Sequence, residues 1–572
     1  MSKDSDLIGQ LLVQKGLITV EALERALLQQ EHSQERVGDI LVSLGLISED
    51  DFYGILSKQS GVEYIKLKNI KMDPAVINEI PAKFACHYEL LPIEVSGNTV
   101  TVAMSNPLDI HTIDDIRLLL KKEIKAVLAS KREILEAIKK YYGVGAETIE
   151  KMAPETGSER IMSIQAQETQ DVGDTAEDAS IIKFVNQVLV EAYRDRATDI
   201  HIEPFEDELS VRYRIDGVLH ETKVPPSIKK FQSAIISRIK IMANLDIAER
   251  RLPQDGRIKI RIGAEEVDLR VSMLPTPFGE SVVIRILSGN VRFGLEKLGL
   301  LKKDLMILER MIKIPHGIIF VTGPTGSGKT TTLYASLSKI NTSDKKIITI
   351  EDPIEYQLKG ITQIQVQPKI NLTFANALRS MLRHDPDVMM VGEVRDYETA
   401  EITIRVALTG HLVFSTIHTN DAAGGVTRLV DMGVEPFLVA SAVECFIAQR
   451  LVRVICKKCK HEAKPDKELL AELGVSGHNL SQVKIYEGKG CDACRFTGYK
   501  GRTAIYEFLE MSEPIKELVL KRSSSDQIRK KAVELGMRTL RQDGWEKIVM
   551  GITTPSEVIR VTQQEELEEI EE

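Results

Sequence analysis

Apolar and polar residues follow different rhythms along this chain. Four short runs are mostly apolar and carry no charge: 318–321 (Ile-Ile-Phe-Val), 347–350 (Ile-Ile-Thr-Ile), 388–391 (Val-Met-Met-Val) and 412–416 (Leu-Val-Phe-Ser-Thr). Each reads as a buried strand. A helix-forming segment with Leu333, Tyr334, Ala335 and Leu337 follows the first run. Between 179 and 290 the rhythm changes to alternation. Strands are predicted at 199–203, 209–215, 257–262, 266–273 and 281–287, with helices over 181–197 and 233–242 and a turn at Asp216-Gly217. These alternations predict an α+β domain.

The first 60 residues repeat themselves. Gly9, Leu12, Gly16, Leu23, Leu27 and Gln30 recur 29 residues later as Gly38, Leu41, Gly45, Phe52, Leu56 and Gln59. Each copy reads as a short helix stopped by a glycine, then an N-cap (Thr19, Ser48) and a second amphipathic helix. Residues 61–144 read as a compact α/β unit. It has a strand at 100–103, a break at Asn106-Pro107, a helix beginning over 116–120 and a helix over 133–142 that ends at Gly143. Residues 145–178 turn polar and acidic and read as a flexible linker. The expected division is therefore 1–60, 61–144, a linker over 145–178, a middle domain over 179–293 and a last domain over 294–572. The chain is α/β and multidomain, as 572 residues lead one to expect, with about four domains on length alone.

Charge and composition narrow the classes. The net charge is −9. Non-specific nucleic-acid binding rests on basic residues neutralising phosphates, so no nucleic-acid partner is expected. No eighteen-residue apolar run is present, so no segment is expected to span a membrane. The polar N-terminus lacks the apolar core of a secretory signal. A cytosolic protein is expected, with membrane association through partners only.

Chemistry concentrates after the first apolar run. Gly323, Pro324, Thr325, Gly326, Ser327, Gly328, Lys329 and Thr330 match the phosphate-binding P-loop pattern, and Thr331 follows. The glycines let successive N–H groups point at phosphate oxygens at the positive end of the next helix. Lys329 would reach the β- and γ-phosphates, and the Thr330 hydroxyl would bind Mg²⁺. The second run ends in Glu351-Asp352-Pro353-Ile354-Glu355. The third ends in Gly392-Glu393, where an Asp is usual. The fourth is flanked by His411 and His418, and His418 could sense the γ-phosphate. Acidic groups at such strand ends are where Mg²⁺ and an attacking water are held. Arg212, Arg214, Arg257, Arg270 and Arg285 lie on strands of the middle domain. Strand arginines ordinarily make ion pairs, but a nucleotide in transition needs positive charge, often from another domain.

Six cysteines are too few for a disulfide scaffold. Cys456-x-x-Cys459 and Cys491-x-x-Cys494 offer four thiolates, which suits tetrahedral Zn²⁺; a redox motif needs only one such pair. The long stretch between the pairs predicts a small subdomain over 456–494. Cys86 and Cys445 read as ordinary buried thiols.

The set Gly-Pro-Thr-Gly-Ser-Gly-Lys-Thr, Ile-Glu-Asp-Pro-Ile-Glu, Val-Gly-Glu-Val-Arg-Asp and Leu-Thr-Gly-His-Leu-Val-Phe-Ser-Thr-Ile-His-Thr-Asn resembles the type II/IV secretion ATPase superfamily. The resemblance implies a RecA-like motor domain, a PAS-like middle domain and a homohexameric ring that binds ATP between them. It implies that Lys329 and Thr330 bind phosphates and Mg²⁺. Glu355 and Glu393 would share water activation and Mg²⁺ coordination, in a division the sequence leaves open. His418 would couple the γ-phosphate to domain motion. Arg270 and Arg285 match arginines directed at the nucleotide. Arg379 and Arg383, four apart on a predicted helix, would face the site together.

The N-terminal repeat resembles the tandem motif of family members that bind cyclic di-GMP. That likeness assigns Gly9, Leu12, Gly16, Gln30, Arg36, Gly38, Leu41, Gly45 and Gln59 to the ligand. The first copy has Leu7 where Arg36 stands in the second. The tetracysteine insert is expected in pilus-assembly and type II secretion ATPases and not in retraction ATPases. The implied function is ATP hydrolysis that powers type IV pilus assembly at the inner membrane, through a membrane platform protein. A type II secretion ATPase shares every motor motif. A DNA-translocating P-loop enzyme and a non-hydrolysing cyclic di-GMP receptor are the readings from other classes.

Overall fold

The computed structural model describes residues 12–30, 37–67, 70, 72–107, 109–143, 176–263, 265–288, 294–464, 466–473 and 484–562. Leu7, Gly9, Arg36, nearly all of the 145–178 segment and the acidic tail lie outside the described residues. Two compact units divide the chain, 1–287 and 288–572.

In the first unit, the repeat forms helices Val20–Gln30, Val37–Ser43 and Glu49–Ser60. Gly16 and Gly45 stop the preceding helices with φ of +68° and +69°, a conformation that glycine takes without penalty. Thr19 and Ser48 cap the second helices by accepting from the Ala22 and Asp51 amides. The α/β unit has a three-stranded sheet of β1 (Leu90–Ser96), β2 (Thr99–Met104) and β3 (Glu123–Leu128). The helix expected to begin over 116–120 ends there instead. It runs Ile110–Leu120, opened by Asp109 accepting from the Thr112 amide and closed by Lys121 in the left-handed region. The helix Lys131–Tyr142 ends at Gly143 as expected.

The middle domain starts inside the expected linker, with the helix Ala176–Arg194. Its six-stranded sheet comprises β4 (Ala197–Pro204), β5 (Leu209–Ile215), β6 (Val218–Thr222), β7 (Gln254–Ile262), β8 (Glu265–Thr276) and β9 (Gly279–Ser288), in the order β6-β5-β4-β9-β8-β7. The β4–β5, β4–β9, β5–β6 and β7–β8 pairs are antiparallel. The sequence reading missed β6 and placed Ala197 in the helix. Ile200, Ile202, Val211, Tyr213 and Ile284 face a core shared with the helices Ala176–Arg194 and Gln232–Ala243. The opposite face carries the charged residues, among them Arg212, Arg214 and Arg285, which are partly exposed, as an antiparallel sheet allows. The PAS-like label rests on the family resemblance alone.

The second unit is built on β10 (Gly317–Thr322), β11 (Ile347–Glu351), β12 (Thr362–Gln365), β13 (Val388–Val391), β14 (Leu412–Ile417), β15 (Val443–Ile455) and β18 (Tyr499–Glu510), in the order β12-β11-β13-β14-β10-β15-β18. All neighbours are parallel except β15–β18. Every residue of β10, β11, β13 and β14 is buried. Alternation sends Ile318 and Phe320 to one core and Ile319 and Val321 to the other, so both faces are covered. This is why these strands read as unbroken apolar runs. The insert adds a two-stranded sheet, β16 (Lys460–Ala463) with β17 (Ile485–Gly488). Among the described residues no helix is long and apolar enough to cross a membrane.

Candidate nucleotide site and tetracysteine cluster

The P-loop leaves the carboxyl end of β10, where a parallel sheet binds its ligands. The strand β15 lies directly beneath it. A Cβ on Gly323 (φ +144°) would sit 2.6 Å from the Gln449 carbonyl and 2.7 Å from Ser327 Oγ. A Cβ on Gly328 would sit 2.7 Å from Gln449 Nε2. Gln449 also accepts from Thr332 Oγ1 at 2.7 Å, which ties the strand to the helix Lys329–Ile340. That helix starts at Gly328 with no side-chain cap, so its first N–H groups remain for a ligand.

Two further features fit a polyphosphate. Ser327 Oγ is buried with no partner among the described residues. Lys329 Nζ folds back onto the loop, donating to the Gly323 carbonyl at 2.6 Å and the Pro324 carbonyl at 3.1 Å. Burial lowers the Lys329 ammonium to about 8; nearby Glu393 raises it and Arg450 lowers it further. Thr330 is half-buried and Thr331 exposed on the first turn. A nucleotide phosphate would replace the carbonyls as the lysine's partner.

Glu393 and His418 come together at the same edge. Thr322 Oγ1 accepts from the Thr419 amide at 3.0 Å, which draws the loop after β14 to the start of the P-loop. Glu393 Oε2 lies 3.3 Å from His418 Nε2, and its Oε1 pairs with Arg395 at 2.6 Å. Thr416 Oγ1 donates to the Gly392 carbonyl at 2.7 Å and steadies the approach to Glu393. Glu393 is thus a shielded carboxylate close enough to Lys329 to act on its charge, with His418 on the solvent rim. Glu355 is half-buried on the irregular segment after β11. Glu351, four residues earlier, is buried and committed to Tyr334, Thr349 and Gln363.

The remaining expected residues have these surroundings. The helix Phe374–Met381 stops before Arg383, which sits in a separate turn, Leu382–His384. Arg379 pairs with Glu398 at 2.7 Å, and Arg383 donates to the Arg379 carbonyl at 2.9 Å. Both are exposed. Arg270 lies on β8 and Arg285 on β9 of the first unit. Arg285 Nε donates to Asp199 Oδ1 at 3.0 Å. In the repeat, Leu12 and Leu41 are fully buried, and a Cβ on Gly38 would strike the Phe52 ring at 1.9 Å. Those three positions hold the helices together. Gln30 is half-buried and Gln59 exposed.

Gln449 and Arg450 were missed. Arg450 is buried, with Nη2 on the Asn420 carbonyl at 2.8 Å and Nη1 3.1 Å from where a Gly323 Cβ would stand. It bridges the P-loop and the loop carrying His418. The available signal was a Gln-Arg pair inside an otherwise apolar run, Phe446-Ile447-Ala448-Gln449-Arg450-Leu451-Val452.

The four paired cysteines do form a cluster. Their sulfurs all lie within 4.8 Å of one another. Cys456–Cys491 measures 3.8 Å, and Cys459–Cys494 and Cys491–Cys494 measure 3.7 Å. Tetrahedral zinc with bonds of about 2.3 Å sets sulfurs about 3.8 Å apart, so the donors fit zinc. The β16–β17 pair closes the intervening stretch and brings the knuckles together. The Cys491 amide donates to Cys494 Sγ at 3.1 Å. A Cβ on Gly488 would lie 2.1 Å from the Gly498 carbonyl, so the chain approaches itself closely here. Cys445 is buried, which pushes its thiol far up; Cys86 is only half-buried, not buried as expected.

Comparison with known proteins gives the family. The family model described as "Type II/IV secretion system protein" matches residues 174–560. The MshEN domain model matches 60–148, on the α/β unit and not on the tandem repeat. The "Type IV pilus assembly ATPase PilB" of Myxococcus xanthus is 44% identical over 96% of this chain and 98% of its own length. The "Type II secretion system protein E" of Xanthomonas campestris pv. campestris is 42% identical over 98% of this chain and 99% of its own. The X-ray structure of the ATPase DotB from Legionella pneumophila has a TM-score of 0.50 at 21% identity, over 67% of this chain and 96% of DotB, and shares the fold. With a model match over more than half its length and relatives this similar end to end, the chain belongs to the type II/IV secretion system protein family, as one of its ATPases.

Proposed function

We propose that this ATPase powers type IV pilus assembly at the inner membrane. The observation that carries the catalytic part is the meeting of Lys329, Glu393 and His418 at the carboxyl edge of one sheet. Lys329, the Ser327 hydroxyl and the free amides of the P-loop hold the phosphates. Thr330 and Glu393 would hold Mg²⁺, which would supply positive charge to the phosphates. Glu393, aligned by Arg395, and Glu355 are the carboxylates that orient and deprotonate water. His418 shares Glu393, so a change at the γ-phosphate reaches the loop after β14. Arg270 and Arg285 supply positive charge when the middle domain closes on the nucleotide, in a homohexamer whose motion turns a membrane platform protein. The protein is cytoplasmic and peripheral to that membrane, and the tetracysteine cluster holds structural zinc. Cyclic di-GMP binds the N-terminal repeat; titration with Arg36→Ala as the comparison tests this, and equal binding by both chains counts against it.

A second reading, export by a type II secretion system, is favoured by the 42% identity to a protein of that name. Disrupting the gene in its own bacterium separates the two. Loss of surface pili with export intact supports the pilus reading. Loss of export with pili intact transfers the function to secretion.

A further inference from the structure

We propose that Tyr334 is the positioning residue that sets Glu355 against the phosphate loop. The proposal rests on the reading of Glu355 as a site acid. It starts from a question of backbone accounting. Residues 352–361 contain neither helix nor strand. Side chains hold that segment instead. The Glu355 amide donates to Tyr334 Oη at 3.3 Å. The Leu358 amide donates to Gln363 Oε1 at 2.7 Å, and Gln363 Nε2 returns a bond to the Tyr356 carbonyl at 3.0 Å.

Tyr334 is the link that belongs to the nucleotide site. It is fully buried and sits four residues after Thr330, one turn along the helix that the P-loop opens. Its hydroxyl donates to the Glu351 carboxylate. Glu351 in turn is held by Thr349 Oγ1 at 2.6 Å and Gln363 Nε2 at 3.1 Å. With its proton committed to Glu351, the tyrosine oxygen presents lone pairs to the Glu355 segment. Burial and the Glu351 contact also push the phenol far above its ordinary pKa, so the proton stays in place. The P-loop, one helical turn and one hydroxyl thus form a rigid path from the Thr330 hydroxyl to the backbone of Glu355. A misplacement of about 1 Å in a catalytic group costs on the order of 10²-fold in rate, so such a path acts on turnover.

The test is steady-state ATP turnover by the full chain carrying Tyr334→Phe, Glu355→Gln or both, with binding of a fluorescent ATP analogue and thermal melting alongside. Phenylalanine keeps the ring and removes only the oxygen. Tyr334→Phe should lower kcat about tenfold or more, with KM for ATP and analogue binding within about twofold of the parent. In the Glu355→Gln background it should add nothing, because both changes remove the same placement. Wild-type kcat in Tyr334→Phe, with Glu355→Gln inactive, overturns the proposal and leaves the reading of Glu355 standing. Loss of analogue binding together with turnover, or losses that multiply in the double variant, assigns Tyr334 a merely structural role. Full turnover in Glu355→Gln overturns the reading of Glu355 and this proposal with it.

Discussion

The seven-stranded sheet of the second unit and the six-stranded sheet of the first both carry charged residues, and they use them differently. In the former, β10, β11, β13 and β14 run parallel, so their carboxyl ends share one edge. The P-loop, Glu393 and His418 meet there although they are far apart in sequence. In the latter, the strands run antiparallel and charges face each other across the sheet. Arg212 pairs with Glu203 and Arg285 with Asp199. Strand direction shapes the outcome: parallel ends gather residues that are far apart in sequence, while antiparallel neighbours bring Arg212 and Arg285 an acidic partner on their own sheet.

The largest expected effect breaks the parallel edge at its centre. Lys329→Ala should lower ATP turnover by at least about 10²-fold. Its melting temperature should hold, because the ammonium is held below its ordinary range by burial and its removal relieves that cost. Undiminished turnover would show that the edge is not where hydrolysis occurs.

The tetracysteine insert sharpens the contrast, since its site is assembled from local knuckles and not from a sheet edge. The chain should contain about one zinc, and Cys491→Ser should release it and lower the melting temperature by several degrees. A metal-free chain with parental melting refutes the zinc assignment.

A smaller effect follows from Lys329 itself. Its free-state value is about 8, below the ordinary lysine value of 10.5. Phosphate raises it again, so binding takes up a proton above pH 8. Affinity for an ATP analogue should be flat below about pH 8 and fall up to about tenfold per unit above it. Calorimetry in buffers of different ionisation enthalpy measures the uptake, and Lys329→Ala should abolish the slope.

Much of this was legible because parallel strands buried on both faces leave unbroken apolar runs, as in 388–391, and glycine spacing marks a phosphate loop. The helix Ile110–Leu120 was half hidden because His111, Thr112, Asp114 and Asp115 make its first turns polar; only the Asp109 cap marks its start. The long strand β15 was missed because Gln449, Arg450 and Arg453 interrupt it, and those interruptions are the contacts under the P-loop. Tyr334 read as one more apolar residue of a core helix, since a hydroxyl's partner is a fact of tertiary structure. The change from α-helix to a tighter turn between Arg379 and Arg383 could not be read from their spacing.

The smallest effect tests whether an antiparallel pairing hides a function. Asp199 is buried, and Arg214 Nε lies 3.8 Å from its Oδ2, so losing Arg285 does not strand the carboxylate. Arg285 is itself 52% exposed, and an exposed pair contributes about 0–1 kcal/mol. Arg285→Gln should therefore shift the melting temperature by less than about 4 °C. If Arg285 supplies charge to the nucleotide when the domains close, kcat should still fall about tenfold. Arg212→Gln is the matched control, because Arg212 pairs with Glu203 on the same sheet and has no assigned part in hydrolysis. It should leave turnover unchanged. Equal turnover in both variants would make Arg285 an ordinary cross-strand partner, and would leave Arg270 as the middle domain's proposed source of positive charge.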